Sequence, residues 1–203
     1  MTLCRTLCLN SVMSKRRLVV GISGASAPIY GIRTLELLYE HPDVETHLVY
    51  TRTAERTIAL ETGRTLEEVS RLACVTYSPD QMEAAVSSGS FQTIGMLIAP
   101  CSINTLSSIA ASFTKDLLTR VADVTLKEKR PLVLMLRESP LHLGHLRRMV
   151  EAAEIGAIIA PPIPSFYHAP QSIDDLINHT IGRTLGLFGI DLPDLKRWST
   201  PAS

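Results

Sequence analysis

The chain has 203 residues, with 20 lysines and arginines balanced by 20 aspartates and glutamates for a formal charge of zero. That balance, with no basic stripe or aromatic platform, excludes the broad electrostatic footprint of a nucleic-acid binder. Hydrophobic residues at 45% and charged ones at 20% are a globular composition, and no apolar run reaches the ~18 residues of a membrane-spanning helix.

Residues 1–12 hold one arginine and a short apolar stretch, too little for a secretory or transit signal. Met13-Ser-Lys-Arg-Arg precedes the first apolar run, so Met13 is the expected native start. Residues 1–14 are the expected N-terminal extension, and 15–203 a single domain. The first strand is Arg17–Ile22. A helix follows from about Pro28 to Glu40, with Ile32, Leu35, Leu38 and Tyr39 at helical spacing and proline in the first turn. Glu45–Tyr50 is the second strand. A helix with Ala54, Ile58 and Leu60 runs to Glu61-Thr-Gly63, Leu66–Ala73 is a short helix, and 75–90 reads as an irregular connection. Gly95–Ala99 is a buried strand, followed by helices at Thr105–Ala111 and Asp116–Lys129. Pro131–Leu136 and Ala157–Ala160 are strands that flank a helix at His142–Glu154. Ile173–Phe188 is the last helix, and a polar tail with Trp198 closes the chain. Strands alternating with helices predict an α/β fold, a three-layer sandwich with a mostly parallel sheet.

The unusual residues cluster where strands end. Ser23-Gly-Ala-Ser26, Pro100-Cys-Ser-Ile-Asn-Thr105, Arg137-Glu138 and Pro161–His168 each follow an apolar run. In an open α/β sheet, ligands bind outside the carboxyl ends of the strands. Gly21-Ile-Ser-Gly-Ala-Ser26 suits an anion at a helix N-terminus but serves equally as a tight turn; it is neither GxGxxG nor the nucleophile elbow. Ser102 suits a helix cap, and two such junctions side by side suit a phosphate-bearing ligand. Arg137 and Glu138 end a buried strand, where each charge needs a partner or a ligand. Strand alternation would send them to opposite faces, so they are not expected to pair with each other. Lys127, Lys129 and Arg130 suit a solvated helix C-terminus. His142-x-x-His145 has no accompanying acidic or cysteine cluster and reads as a plain helix start. Four cysteines (Cys4, Cys8, Cys74, Cys101) without CxxC spacing suit a reduced, cytoplasmic chain.

Taken together, these segments, with Ser88-Gly-Ser-Phe-Gln-Thr93, Leu117-Leu-Thr-Arg120 through Lys127-Glu128, Arg130-Pro-Leu-Val-Leu134 and Phe166-Tyr-His-x-Pro-Gln-Ser172, resemble the flavin prenyltransferase family, the UbiX family of ubiquinone biosynthesis. The likeness runs from about Lys15 to Trp198. It implies a Rossmann-like, flavodoxin-related fold that binds FMN. It implies transfer of the dimethylallyl group of dimethylallyl phosphate to N5 and C6 of reduced FMN, without a metal. The product, prenylated FMN, would serve a UbiD-type decarboxylase. Family members form homo-oligomers described as dodecamers, with sites at subunit interfaces.

Carried onto this sequence, the resemblance implies FMN contacts at Gly24, Ala25, Ser26, Thr51, Ser102, Ile103, Asn104, Thr105 and Arg137. Ser26 would also lie near the reacting flavin edge. Lys127, Arg137, Glu138, Tyr167 and Arg183 would surround the prenyl phosphate, and Glu61 is matched to a carboxylate near the flavin. Trp198 would close the prenyl pocket, against a neighbouring subunit. The implied catalytic set is thus Ser26, Glu61, Lys127, Glu138 and Trp198.

Three positions depart from the family pattern. Thr51 replaces a serine, Ala27-Pro28 replaces a glycine-containing pair, and Asn104 stands where lysine or glycine is common. The Pro100–Thr105 segment therefore leans toward the motif of related FMN-dependent cysteine decarboxylases. Those enzymes use a histidine before that motif, and this chain has none between His47 and His142. A non-catalytic flavin carrier is the other alternative, against which the second phosphate-binding set argues.

Overall fold

The computed structural model describes residues 15–192, so the expectations for 1–14 and for Trp198 lie outside the described residues. Six strands form one parallel sheet: β1 (Arg16–Ile22), β2 (Val44–Tyr50), β3 (Val75–Tyr77), β4 (Gly95–Cys101), β5 (Leu132–Leu136) and β6 (Ala157–Ile159). Their order is β3-β2-β1-β4-β5-β6. Chain direction across the sheet reverses between β1 and β4, and this switch point is where doubly wound sheets open a crevice.

The helices are α1 (Ile29–Leu38), α2 (Arg52–Thr62), α3 (Leu66–Ser70), α4 (Ile103–Ala110), α5 (Leu117–Lys127), α6 (Leu143–Glu154) and α7 (Ile173–Leu185). Alternate strand residues enter two different hydrophobic clusters. Leu18, Val20, Ile22, Leu97 and Val133 pack with α1 and α7, while Val19, Met96, Ile98, Leu132 and Leu134 pack with α4, α5 and α6. Burial on both faces explains why the strands read as unbroken apolar runs. At Gly31 on α1, a Cβ would stand 2.2 Å from the Ala99 carbonyl oxygen, so only glycine lets α1 lie this close to β4. Among the described residues, no helix is long and apolar enough to cross a membrane.

The structure departs from the sequence reading in a few places. The 75–90 connection contains β3, a three-residue edge strand paired with His47–Val49 and too short for a periodic signal. Strand β4 continues through Pro100 to Cys101, with a register irregularity between Ile98 and Cys101 that accommodates the proline. Helix α5 stops at Lys127 because Lys129 has φ 56°, outside the helical region. Helix α3 ends at Ser70, and α7 ends at Leu185 with a single 3-10 turn to Phe188.

Ser23 joins the two strand ends at the switch point. Its side chain is fully buried, its hydroxyl donates to the Pro100 carbonyl at 2.8 Å, and it accepts the Ser102 N–H at 2.7 Å. Ser23→Ala would leave that N–H without its acceptor. We expect a loss of about 1–3 kcal/mol in chemical denaturation; an unchanged midpoint and slope would show that the clasp carries no energy.

Candidate active site

A cavity of about 640 Å³ opens at the carboxyl ends of five strands, over the switch point. Gly24, Ala25 and Ser26 follow β1, Thr51–Thr53 follow β2, Pro79 and Asp80 follow β3, Ser102–Thr105 follow β4, and Arg137 and Glu138 follow β5. Lys115 and Asp116, before α5, complete the wall. The volume falls within the range of cofactor pockets, ~300–1,000 Å³.

Two helices point their N-termini into it, and their hydrogen bonding shows what they lack. Thr51 caps α2 by accepting the Ala54 N–H, and its own N–H donates to Ile22 O at 3.0 Å. Ser102 caps α4 by accepting the Thr105 N–H, and its own N–H goes to Ser23. The first and second amides inside each helix have no acceptor available in their own helix. Those of Arg52, Thr53, Ile103 and Asn104 find none elsewhere among the described residues, nor do the amides of Gly24, Ala25 and Ser26. Seven N–H donors, backed by two helix dipoles, therefore face one cavity and call for an anion. Gly24 keeps the cradle open, since a Cβ there would lie 2.4 Å from Thr53 Cβ.

The charged side chains of the wall are unequal. Arg52 pairs with Asp80, and Lys115 donates to Asn104 Oδ1. Asp116 caps α5 by accepting the Thr119 N–H at 2.9 Å. The Arg137 guanidinium has no hydrogen-bond or ion-pair partner among the described residues, although it lines the cavity. Glu138 accepts only the Ser139 N–H, at 3.0 Å through Oε1. The expectation that these two charges are desolvated on opposite faces is corrected. Arg137 is exposed and Glu138 half-buried, β5 has already ended at Leu136, and both line the same cavity.

Glu61 sits one layer back. Its Oε2 accepts the Ala27 N–H at 2.7 Å and the Ser26 hydroxyl at 3.2 Å, without lining the cavity. Ala27 has φ 67°, a left-handed conformation that costs a non-glycine residue roughly 1–2 kcal/mol. The Glu61 carboxylate holds that conformation and thereby aims Ser26. Cys101 is buried beneath the site, and burial pushes its thiol pKa far up, so it is no nucleophile. No histidine lines the cavity.

One chain does not gather every expected residue. Lys127 closes the far end of α5, eleven residues from Asp116 and so roughly 16 Å away along the helix, where it pairs with Glu128. Arg183 is exposed near the end of α7, and Tyr167 lies in the loop after β6. None of the three lines the cavity. Sequence reasoning also missed Arg52, Thr53, Pro79, Asp80, Lys115 and Asp116. Only Asp116-x-x-Thr119 carried a readable signal, a helix-capping pattern.

The Flavoprotein family profile matches residues 8–184. Flavin prenyltransferase UbiX of Escherichia coli K12 is 59% identical over 185 residues, covering 90% of this chain and 98% of that protein. The crystal structure of AnUbiX (PadA1) in complex with FMN and dimethylallyl pyrophosphate superposes with a TM-score of 0.89 at 46% identity, covering 92% of this chain and 98% of that one. A dodecameric FMN-dependent UbiX-like decarboxylase from Escherichia coli O157:H7 gives 0.88 at 42% identity, covering 91% and 100%. Fold, cavity and this extent of identity agree, and the chain belongs to the UbiX family of flavin prenyltransferases.

Proposed function

We propose that this chain joins the dimethylallyl group of dimethylallyl phosphate to N5 and C6 of reduced FMN, releasing phosphate and giving prenylated FMN for a UbiD-type decarboxylase. The observation that carries the reading is a cavity with two kinds of anion-seeking group. Unsatisfied amides at Gly24–Ser26, Arg52–Thr53 and Ile103–Asn104 offer one, and the unpartnered Arg137 beside Glu138 offers the other. A flavin mononucleotide supplies one phosphate, and the prenyl donor the second.

Reduced FMN brings the nucleophilic nitrogen and carbon to which the prenyl group attaches. The protein's task is to hold two phosphates apart and to let one of them leave. Thr51 and the amides of α2 and α4 hold the flavin phosphate. Ser26, aimed by Glu61, borders the reacting edge. Breaking the allylic C–O bond sends its electron pair to the leaving phosphate, where Arg137 offsets the developing charge. Glu138 moves a proton between that phosphate and the reacting carbons.

Lys127, Tyr167, Arg183 and Trp198 are the contribution we assign to a neighbouring subunit. Support comes from an apolar surface on and beyond α6, where Leu143 is 60%, Val150 56%, Ile163 74% and Phe166 68% exposed. Such a patch suits contact with another copy. We read residues 15–203 as one flavin-binding unit, because both hydrophobic clusters are built on one sheet. Cys74 and Cys101 are both free, which supports a cytoplasmic setting.

A cysteine decarboxylase of the related family would need a histidine, and none lines the cavity. A carrier would not need Arg137 and Glu138 presented beside a flavin site. Anaerobic incubation with reduced FMN and either dimethylallyl phosphate or its diphosphate, followed by mass spectrometry, tests the reading. We expect flavin carrying one added prenyl group, with one phosphate released per turnover from the monophosphate. Unaltered flavin with both donors would refute the activity.

A further inference from the structure

The loop after β6 is tied to α7 by a histidine that the mechanism above does not use. His179, in the middle of α7, is only 6% exposed. Both of its ring nitrogens are engaged: Nδ1 lies 2.9 Å from Ser165 Oγ, and Nε2 lies 2.8 Å from the Tyr167 hydroxyl. His168 covers its face, with ring centroids 4.1 Å apart and planes 8° from parallel. The Tyr167 ring meets it edge-on at 5.2 Å and 82°. One buried imidazole thus fixes three side chains of a segment that has no regular secondary structure.

A neutral imidazole with both nitrogens bonded must choose a tautomer. If Nδ1 carries the proton, it donates to Ser165, and Nε2 then takes the Tyr167 proton. If Nε2 carries it, Ser165 donates to Nδ1, and Nε2–H donates to the Tyr167 oxygen. Only the second arrangement leaves the phenol proton to be donated onward. A phosphate oxygen has no proton to give near neutral pH and needs donors.

We propose that His179 is a positioning residue for the prenyl donor: as the Nε2–H tautomer, with Ser165 donating to Nδ1, it fixes the Tyr167 hydroxyl and directs its proton toward a phosphate oxygen of dimethylallyl phosphate. The proposal rests on the reading of Tyr167 as a prenyl-phosphate ligand. It explains why an exposed loop tyrosine is clamped by a buried polar group. Tyr167 must arrive at a fixed place with a fixed hydrogen-bond polarity, and a mobile loop would supply neither.

Steady-state prenyl transfer by the full-length assembly with reduced FMN tests this. His179→Phe and Tyr167→Phe are each expected to raise KM for dimethylallyl phosphate roughly tenfold to a hundredfold. FMN affinity and sedimentation should stay as in the wild type. The double variant should be no worse than either single one, because both act through one hydroxyl. His179→Gln, whose amide N–H can stand in for Nε2–H, should recover most of the loss. A wild-type KM in Tyr167→Phe would remove the underlying reading of that tyrosine. An impaired Tyr167→Phe beside a wild-type KM in His179→Phe would overturn the role of His179 alone, as would additive losses in the double variant. Should His179→Phe fail to fold, Ser165→Ala carries the test. It is expected to raise KM several-fold, and an unchanged KM would refute the tautomer assignment.

Discussion

Glu138→Gln is expected to slow prenyl transfer by ~10²–10⁴-fold while FMN still binds, the range of general acid–base contributions. The glutamine keeps the shape and can accept the Ser139 N–H that Glu138 now accepts at 3.0 Å. What it loses is the group that can take and return a proton. The amides we propose as the flavin-phosphate cradle follow other strands than the one Glu138 follows, so FMN affinity should be insensitive to this change. Single-turnover flavin spectra separate the two quantities. Wild-type turnover in Glu138→Gln would show that Glu138 only orients a neighbouring cation, and parallel loss of FMN binding would show that it is part of the cradle.

Arg137→Ala should weaken both ligands. The guanidinium lines the cavity without a protein partner, so nothing in the wall is left unpaired by its removal. The loss is then that of its bonds to bound anions, about 1.5–3 kcal/mol for a hydrogen bond to a charged group. At 1.4 kcal/mol per tenfold, that is roughly a 10- to 100-fold weakening. Arg137→Lys should recover the charge but not two-pronged recognition of phosphate. Flavin fluorescence titration and KM for dimethylallyl phosphate measure the two effects. A change confined to one ligand would place Arg137 on that ligand alone.

Much of the cavity was legible in the sequence because strand ends are easy to see when strands are buried on both faces. The apolar runs of β1, β4 and β5 stop at cavity-lining residues, so Gly24–Ser26, Ser102–Thr105, Arg137 and Glu138 could be named from pattern alone. The order of the strands could not be read, because a continuous apolar run says nothing about its neighbours. Arg52, Asp80 and Lys115 escaped for a related reason. They are polar residues in polar segments, and only the pairing of β2 with β3 brings Arg52 and Asp80 together. Glu61 was nameable only through family likeness, and its contact with the N–H of Ala27, a residue in a left-handed conformation, is not revealed by sequence. Lys127, Tyr167 and Arg183 were nameable only through family likeness, since no periodicity links them to the cavity.

Those three residues define the central claim, that the working site is shared, with the cavity from one subunit and the remaining phosphate ligands from another. Complementation in mixed assemblies tests it most directly. Subunits carrying Glu138→Gln would be co-assembled with subunits carrying Lys127→Ala and Arg183→Ala, each inactive alone. A shared site predicts recovery, because a cavity from the second type can meet intact ligands from the first, in about a quarter of sites for random mixing of a two-subunit site. Activity no higher than that of the two parent assemblies would contradict the account and place the whole site within one chain.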